Sequence, residues 1–485
     1  MTTSWFHQYR LLMIWLRQQP LAVLGLLSLP LYLLVLLHGH FRPQRMEPFF
    51  PIFFGLFMLY ALGCWKVIRS AEKSSLRMIF GFALVFNLLL IPSWPTLSDD
   101  MFRYIWDGRV QAAGFSPYRY PSNAAELEPL RDEVIWPSMN RPNAVTIYPP
   151  AAQMVFAFTW RLFPDSVTGM KVVMIGATLL AGWLLVHLLQ VLNQSPARAL
   201  IFLWNPLLIF EVAHAAHVDA LYLPLLVGAF LLRARAPSSR VSWRYEAGIG
   251  LLLGLATLMK LYPAMLAVPL WSLVDDHRRR HWRLMLPITL VLTVLVGYAL
   301  YFQPGVNSLG FLSTYGGEFF NISPLMGLAT DLARDYGLRW QIPGNVGMPL
   351  LVIIASLYMV ARPARTARSA ILRCFWPIGI YLLINHNLFA WYVLWLLPLI
   401  ALELSPRLNM ALAWWSFTGT VALSYTFFLR WREEAWGIHL QFWPLYLLLL
   451  LAALEWIRQR WMLPHLTLSS PSQLTGEHER STLNP

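Results

Sequence analysis

The sequence predicts an all-α protein that crosses a membrane many times. Of its 485 residues, 57% are hydrophobic and only 13% are charged, whereas a soluble domain carries about 25% charged residues. Continuously apolar runs of about 17–25 residues recur from end to end, which is the helix length that spans a hydrocarbon core of about 30 Å. Strands of a membrane barrel would be about 10 residues long and alternate in polarity, so these runs predict helices.

About fourteen such spans are predicted, within one multispanning domain that covers residues 1–463. The predicted spans are Pro20–Leu37, Pro48–Lys66, Arg77–Pro95, Val167–Gln190, Ala197–Ala213, His217–Leu232, Ala247–Met259, Tyr262–Leu273, Leu284–Phe302, Asn345–Ala361, Leu372–Ile384, Leu388–Leu402, Asn409–Phe428 and Ile438–Ile457. Residues 464–485 are rich in Ser, Thr, Pro and Glu, which predicts a disordered cytoplasmic tail.

Basic clusters orient the predicted spans, because Lys and Arg collect in cytoplasmic loops. With both termini in the cytoplasm, the fourteen spans place four clusters on that side, namely 66–77, 233–244, 278–283 and 362–373. The same count places loops 96–150 and 303–344 on the outer face. The net charge of +13 then reflects membrane topology, so nucleic acid is not a predicted partner.

The first outer loop opens with the motif Ser98–Arg109, directly after the third predicted span. In a helix, Asp100, Arg103 and Asp107 would share one face, at i, i+3 and i+7. Adjacent carboxylates at a membrane surface, Asp99 and Asp100, suit a general base that removes a proton from an incoming hydroxyl. The structural alternative is a helix N-cap, which is common for Asp.

Two further polar sites lie between predicted spans near the outer face. Lys260 and Tyr262 stand in a Lys-Leu-Tyr-Pro sequence, and an ammonium there suits a phosphodiester partner, although a lysine near a helix end also snorkels readily. His214–Asp219 forms a polar turn whose residue types could bind a metal or a substrate, but three ligands in one turn do not make a zinc site.

The remaining polar and aromatic groups fall in the second half of the chain. Tyr315–Asn321 lies in the second predicted outer loop, and its Glu318 suits either sugar hydroxyls or solvent. Asn385–Asn387 precede Trp391 and Tyr392, which could stack on a sugar, although aromatic residues at a membrane interface are usually anchors.

The string Asp-Asp-x-x-Arg-Tyr-x-Trp-Asp-Gly at Asp99–Gly108, followed by Gly-x-x-Pro-Tyr at Gly114–Tyr118, resembles bacterial glycosyltransferases of the C superfamily. Within it, the polyprenol-phosphomannose-dependent mannosyltransferases and glycosyltransferase family 87 are the most similar. The resemblance implies a multi-pass enzyme of the bacterial inner membrane. Such an enzyme transfers a hexose, mannose above all, from a polyprenyl-phosphate carrier to a glycan or glycolipid acceptor on the extracytoplasmic face, with inversion. It also implies short helices lying on the membrane in the first outer loop, which suits Ala151–Phe163.

The same resemblance implies roles for individual residues. Asp99 or Asp100 would be the catalytic base, and Lys260, Arg103 and Tyr262 would bind the donor phosphate. The expected substrate-binding residues are Tyr104, Asp107, Asp219, Glu318, Asn321, His386, Trp391 and Tyr392. His386 is displaced by three positions from the family pattern, and two spans precede the one that leads into the catalytic loop. Some members of the superfamily need Mg²⁺ or Mn²⁺, and the sequence leaves that cation requirement open.

Two other functional classes remain in view. A transporter or lipid flippase would place ionisable residues at mid-membrane depth, whereas here they gather at one face. An O-antigen-type ligase would be expected to use Arg and His in a late outer loop, and loop 303–344 contains arginines but no His.

Overall fold

The computed structural model describes residues 19–38, 46, 48–69, 75–237, 241–274, 277–315, 323–339, 346–385, 387–426 and 435–466. The predicted all-α class is confirmed in this part of the chain, where one isolated bridge between Leu273 and Ala364 is the sole β pairing. The α-helices are α1 Pro20–His38, α2 Phe49–Arg69, α3 Leu76–Leu90, α4 Asp100–Ala112, α5 Ile135–Ser138, α6 Pro150–Leu162, α7 Val167–Val191, α8 Ala199–Leu203, α9 Pro206–Ile209, α10 Asp219–Arg235, α11 Trp243–Thr257, α12 Ala267–Trp271, α13 Met285–Ala299, α14 Leu312–Tyr315, α15 Pro324–Asp335, α16 Met348–Ala361, α17 Ala367–Leu372, α18 Phe375–Leu383, α19 Leu397–Glu403, α20 Met410–Thr420 and α21 Ala435–Leu466.

Shorter turns of helix connect or extend these elements. The 3-10 turns are Ala125–Leu130, Pro196–Arg198, Tyr262–Leu266, His277–Leu284, Ala390–Leu396 and Val421–Tyr425, and Phe210–His214 forms a π-helical turn.

The predicted count of fourteen spans is not confirmed. Among the described residues, five helices are long and apolar enough to cross a membrane, or six if the pair Pro196–Leu203 and Pro206–His214, bent by 58°, is one span. Proline accounts for part of the difference, because it removes a backbone donor and interrupts a continuing helix. The predicted span Tyr262–Leu273, for example, divides into a 3-10 turn and the five-residue helix α12.

The central helices pack closely around α10. Helix α10 contacts both α7 and α11, and α11 in turn contacts α13. At the α11–α13 contact a side chain on Gly250 would lie 2.2 Å from the Leu286 carbonyl oxygen, so only glycine allows this approach. A buried ion triad joins the ends of the same three helices. Glu246, near the start of α11, binds Arg233, near the end of α10, at 2.6 Å and Arg283, just before α13, at 3.1 Å.

The first predicted outer loop folds into a layer of short helices. Its α4 and α6 pack so closely that a Cβ on Gly108 would lie 2.6 Å from the Phe156 carbonyl oxygen. Gly114 ends α4 at a φ of +85°, the left-handed conformation that glycine adopts without strain. Backbone N–H groups at the start of α6 donate to the Leu258 carbonyl, so this layer is tied to the segment that carries Lys260.

Candidate functional site

A cavity of about 520 Å³ lies where the first loop meets the helical bundle. Its charged walls come from the start of α4, the loop around Arg141, the start of α10 and the turn between α11 and α12, and the 3-10 turn Ala390–Leu396 adds aromatic rings. The charged side chains that line it are Asp99, Asp100, Arg103, Arg141, Asp219 and Lys260. Four regions that are distant in sequence therefore bring carboxylates and cations to one enclosed space.

The adjacent carboxylates share a single amide donor. Asp99 occupies the N-cap position of α4, but its side chain makes no capping hydrogen bond. Instead, Asn140 Nδ2 donates to Asp99 Oδ1 and to Asp100 Oδ1, at 2.8 Å each. The N-cap alternative therefore does not describe Asp99, whose side chain is directed to the site rather than to the helix.

The environment of Asp99 makes its carboxylate a stronger proton acceptor than an ordinary aspartate. The pKa of Asp99 is raised to about 6 by burial among protein atoms and by the neighbouring Asp100 carboxylate, and the Asn140 hydrogen bond acts in the opposite direction. The side chain is nonetheless open to the cavity, so a substrate hydroxyl can reach it. A base with a pKa near the working pH is effective in proton transfer.

A histidine and a glutamate stand behind Asp100. His217 Nδ1 lies 3.8 Å from Asp100 Oδ2, and His217 Nε2 lies 3.2 Å from Glu211 Oε2. Both His217 and Glu211 are fully buried. The imidazole stacks on Trp391 at a centroid distance of 3.8 Å, so its ring plane is fixed by an aromatic neighbour.

Lys260 is held by a buried carboxylate. Its Nζ lies 2.9 Å from each oxygen of Asp219, and Asp219 also accepts hydrogen bonds from Tyr222 and Trp395. The Lys260 side chain keeps 21% of its surface exposed, whereas Asp219 has none. The lysine therefore presents its ammonium to the cavity from a fixed position and does not snorkel away.

Aromatic rings form the wall beside Lys260. Its Nζ lies 4.2 Å from the Tyr392 ring centroid, within cation–π range. Trp395 lies parallel to Tyr262 at a centroid distance of 3.5 Å and to Tyr392 at 4.9 Å. Tyr262, Trp391 and Tyr392 all line the cavity, so these three predicted site residues are brought together.

Arg103 and Asp107 form an ion pair one helical turn apart. Arg103 lines the cavity, whereas Asp107 is 1% exposed and does not. Arg103 Nε donates to Asp107 Oδ1 at 2.9 Å, while Thr146 and Gln153 donate to Asp107 Oδ2 at 2.6 and 2.7 Å. The structure thus places Asp107 behind the wall, where its contacts fix the loop, in contrast to the predicted contact with substrate.

Tyr104 also lies outside the cavity lining. It is fully buried, stacks on Phe156 at a centroid distance of 4.6 Å, and accepts a hydrogen bond from the Val218 amide. Its role in this geometry is to join α4 to α6 and to the start of α10.

Arg141 joins the two predicted outer loops at the cavity. Its guanidinium lies 5.2 Å from the ring centroid of Phe311 and 5.8 Å from that of Tyr315. Arg141 has a φ of +48°, which is uncommon for a residue with a side chain. The Phe311 amide donates to the Thr146 carbonyl at 3.0 Å, so backbone pairing supports the same junction.

Glu318, Asn321 and His386 lie outside the described residues. Conversely, Asn140, Arg141, His217 and Asn385 line or support the cavity without having been predicted as site residues. The sequence offered a signal for His217, which belongs to the polar turn at 214–219, and for Asn385, which belongs to the polar string at 385–387. Asn140 and Arg141 lie about 40 residues from the aspartate pair, and only the fold brings them beside it.

Among the described residues, no three His, Cys, Asp or Glu side chains converge as a metal-binding group. The requirement for Mg²⁺ or Mn²⁺ therefore stays open, and no metal ligands are assigned. Mg²⁺ is often held by one or two carboxylates together with a substrate phosphate, so a cation is a variable for the transfer assay.

Comparison with known proteins relates the chain to mannosyltransferases. The chain is 26% identical over 188 residues to alpha-(1->6)-mannopyranosyltransferase A of Corynebacterium glutamicum, an alignment that covers 38% of this chain and 36% of that relative. The matched region therefore spans about a third of the length of the curated relative. No solved structure matches the chain. A family model described as "Alpha-(1->6)-mannopyranosyltransferase, N-terminal domain" matches residues 33–275, half of the chain and the segment that carries Asp99, Asp100, Asn140, Asp219 and Lys260, so the protein belongs to the alpha-(1->6)-mannopyranosyltransferase family.

Proposed function

We propose that the protein transfers a mannosyl residue from a polyprenyl-phosphate donor to a hydroxyl group of a glycan or glycolipid. The observation that carries the proposal is a single cavity with an aspartate pair on one wall and Lys260 on another. A phosphate-linked sugar needs both groups, because its reaction requires a base for the incoming hydroxyl and a cation near the leaving phosphate.

In the proposed step Asp99 removes the proton from the acceptor hydroxyl as that oxygen attacks the anomeric carbon. The bond between this carbon and the phosphate oxygen breaks, and polyprenyl phosphate leaves with the bonding electron pair. Attack from the face opposite the phosphate inverts the anomeric configuration. The products are a glycoside, polyprenyl phosphate and one proton on Asp99. Of the two carboxylates, Asp99 is assigned as the base because it is the more exposed and its pKa is raised to about 6.

The cations of the cavity bind the donor phosphate in this scheme. Lys260 supplies a point charge whose position Asp219 fixes. Arg141 lies on the junction of the two outer loops, and Arg103 lines the same wall as the aspartate pair. Because the carboxylates and the cations lie on different elements, the carboxylates can stabilise the sugar in the transition state while the cations stabilise the phosphate. Trp391 and Tyr392 offer faces on which a pyranose ring can stack.

The proposal extends to location. Apolar helices long enough to span a bilayer support a membrane protein, and the lipid donor suits an active site beside the membrane surface. We place both termini in the cytoplasm and the cavity on the extracytoplasmic face of a bacterial plasma membrane. Accessibility of cysteines introduced at Asn123 or Asp335 to a membrane-impermeant thiol reagent in whole cells would support this orientation, and protection of both would reverse it.

The central experiment is transfer by the purified protein from radiolabelled polyprenyl-phosphate sugars, with mannose, glucose and galactose in parallel. Membrane lipids and cell-envelope glycans serve as acceptors, and EDTA is included as a variable. Labelled product with mannose as the preferred sugar supports the proposal, and loss of transfer in EDTA would establish a cation requirement. Folded protein that transfers none of the sugars, yet moves labelled lipid across vesicle membranes, would replace the enzyme with a flippase.

A further inference from the structure

The buried pair of His217 and Glu211 has no part in the reaction as described so far. Glu211 lies in the π-helical turn Phe210–His214, a rare element that is frequent at functional sites. The residue before His217, Ala216, has a φ of +53°, a conformation that costs energy for a residue with a side chain. The fold therefore accepts local strain in placing this imidazole between two carboxylates.

The environment of His217 is charged on two sides and aromatic on a third. Asp100 faces Nδ1 and Glu211 faces Nε2, with Trp391 stacked on the ring and the Asp99 charge close enough to interact with it. Within the described chain, both ring nitrogens and Glu211 Oε2 lack an aligned hydrogen bond. Buried polar atoms without partners are costly, and hydrogen bonds of a catalytic group commonly tighten only when substrate is bound.

We propose that His217, supported by Glu211, is a positioning residue for Asp100. It holds Asp100 in the orientation in which Asn140 bridges the carboxylates of Asp99 and Asp100. In this arrangement the two adjacent aspartates have different tasks. Asp100 is fixed between Asn140 and the imidazole, while Asp99 faces the acceptor and takes its proton. Different surroundings for two neighbouring carboxylates are a recurrent way to separate such roles.

The proposal rests on the proposed transfer reaction for its kinetic test. His217→Phe keeps a ring against Trp391 but removes both nitrogens, so kcat should fall by roughly 10–100-fold with the donor KM within about twofold of wild type. Glu211→Gln should give a smaller fall in kcat, and His217→Asn, which can donate a hydrogen bond to Asp100, should recover part of the loss. A wild-type kcat in folded His217→Phe protein would overturn the proposal.

His214 provides a matched control from the same turn. It is buried like His217, but its ring nitrogens contact Ser93 and Thr96 rather than either aspartate. His214→Asn should lower the melting temperature and leave kcat within about twofold of wild type. An equal loss of kcat in both histidine variants would show that the turn matters only for folding, and the positioning role would be wrong.

A second measurement does not depend on turnover. In detergent-solubilised protein labelled with ¹³C at the histidine Cε1, the His217 resonance is identified by its loss in His217→Phe. Because Asp100 and Glu211 face the two ring nitrogens of His217, Asp100→Asn and Glu211→Gln should each shift the His217 resonance at a fixed pH. An unshifted resonance in both variants would overturn the inference, whereas absence of transfer by wild-type protein would contradict the proposed function alone.

Discussion

Two walls of the cavity carry carboxylates: the Lys260 wall contains Asp219, and the Asp99 wall contains Asp99 and Asp100. The two walls hold these carboxylates in different ways. Asp219 is fully buried and accepts hydrogen bonds from Lys260, Tyr222 and Trp395. Asp99 is open to the cavity, and Asn140 is the one side chain in the described structure that donates to it. A buried carboxylate that accepts hydrogen bonds from several donors is suited to holding a neighbouring cation in place. A carboxylate with few hydrogen-bond partners is free to accept a proton. This contrast supports our proposal that the Lys260 wall positions the donor and that the Asp99 wall carries out the proton transfer.

The largest expected effect is on the reactive wall. Asp99→Asn replaces the proton acceptor by an amide of the same shape, so kcat should fall by about 10²–10⁴-fold while the donor KM changes little. Transfer rates measured over a range of donor concentrations up to saturation give both values. If folded Asp99→Asn protein transfers at the wild-type rate, Asp99 is not the base.

Asp132→Asn is the matched control for this variant. Asp132 belongs to the same outer loop, but it binds Arg109 at 2.8 Å and caps the start of α5, and it does not line the cavity. Its hydrogen bond with Arg109 holds the pKa of Asp132 well below its usual range. Asp132→Asn should therefore lose thermal stability and keep kcat within about twofold of wild type. If its kcat fell as far as that of Asp99→Asn, the effect at Asp99 would be nonspecific.

The next largest effect distinguishes two roles of Lys260, which are structural support of Asp219 and binding of the donor phosphate. Lys260→Met leaves Asp219 buried without its cation, so the melting temperature should fall. Loss of the point charge should also raise the donor KM, by tenfold or more if the lysine supplies about 1.4 kcal/mol of donor binding. Thermal unfolding and donor titration measure the two effects separately.

The double variant Lys260→Met/Asp219→Asn tests whether the two effects are separable. Removing both charges should recover much of the melting temperature, because no buried charge is left uncompensated, while the donor KM stays high. Recovery of the donor KM together with stability would show that Lys260 acts only as a structural partner of Asp219, and the phosphate role would be lost.

A smaller effect is expected at the junction of the two predicted outer loops. Arg141→Gln removes a cavity-lining charge that packs over Phe311 and Tyr315, so the donor KM should rise by about threefold to tenfold. Arg119→Gln is the control, because Arg119 lies in the same loop outside the cavity lining. Equal KM values for both variants would remove Arg141 from donor binding.

Much of the fold could be predicted from the sequence, since continuous apolar runs are a strong signal for membrane helices. The amphipathic segment at 151–163 and the helix that begins at Asp100 are confirmed. The number of spans was not predictable in the same way. Runs such as Tyr262–Leu273 contain proline at positions where the chain turns, and hydropathy alone does not distinguish a broken segment from a crossing.

The site was predictable where its residues belong to a compact motif. Asp99 and Asp100 lie in one, and Lys260 lies in another, and all three line the cavity. Asn140 was not predictable, because its role depends on a loop that returns to the start of α4 after 40 residues. Asp107 shows the opposite limit of sequence-based prediction. Helical periodicity places it on the same face as Asp100, but Thr146 and Gln153 donate hydrogen bonds to its carboxylate and separate it from the cavity.

The smallest and most specific effect concerns the pH dependence of the reactive wall. Transfer needs ionised Asp99, whose pKa is raised to about 6, so kcat should decline as the pH falls through about 6. Asp100→Asn removes a negative neighbour, which lowers the pKa of Asp99 and moves the decline to lower pH. Asn140→Ala removes a donor to the charged carboxylate, which raises the pKa and moves the decline to higher pH.

The opposite signs are what make this pair of variants informative. A general loss of structure would lower kcat at every pH without moving the midpoint of the decline. Rate profiles between pH 4.5 and 8.5, taken with saturating donor and corrected for the folded fraction, measure that midpoint. Shifts of roughly one unit or less in opposite directions would identify Asp99 as the titrating base. A midpoint that stays fixed, or moves the same way in both variants, would assign the pH dependence to another group and separate the exposed aspartate from the chemistry.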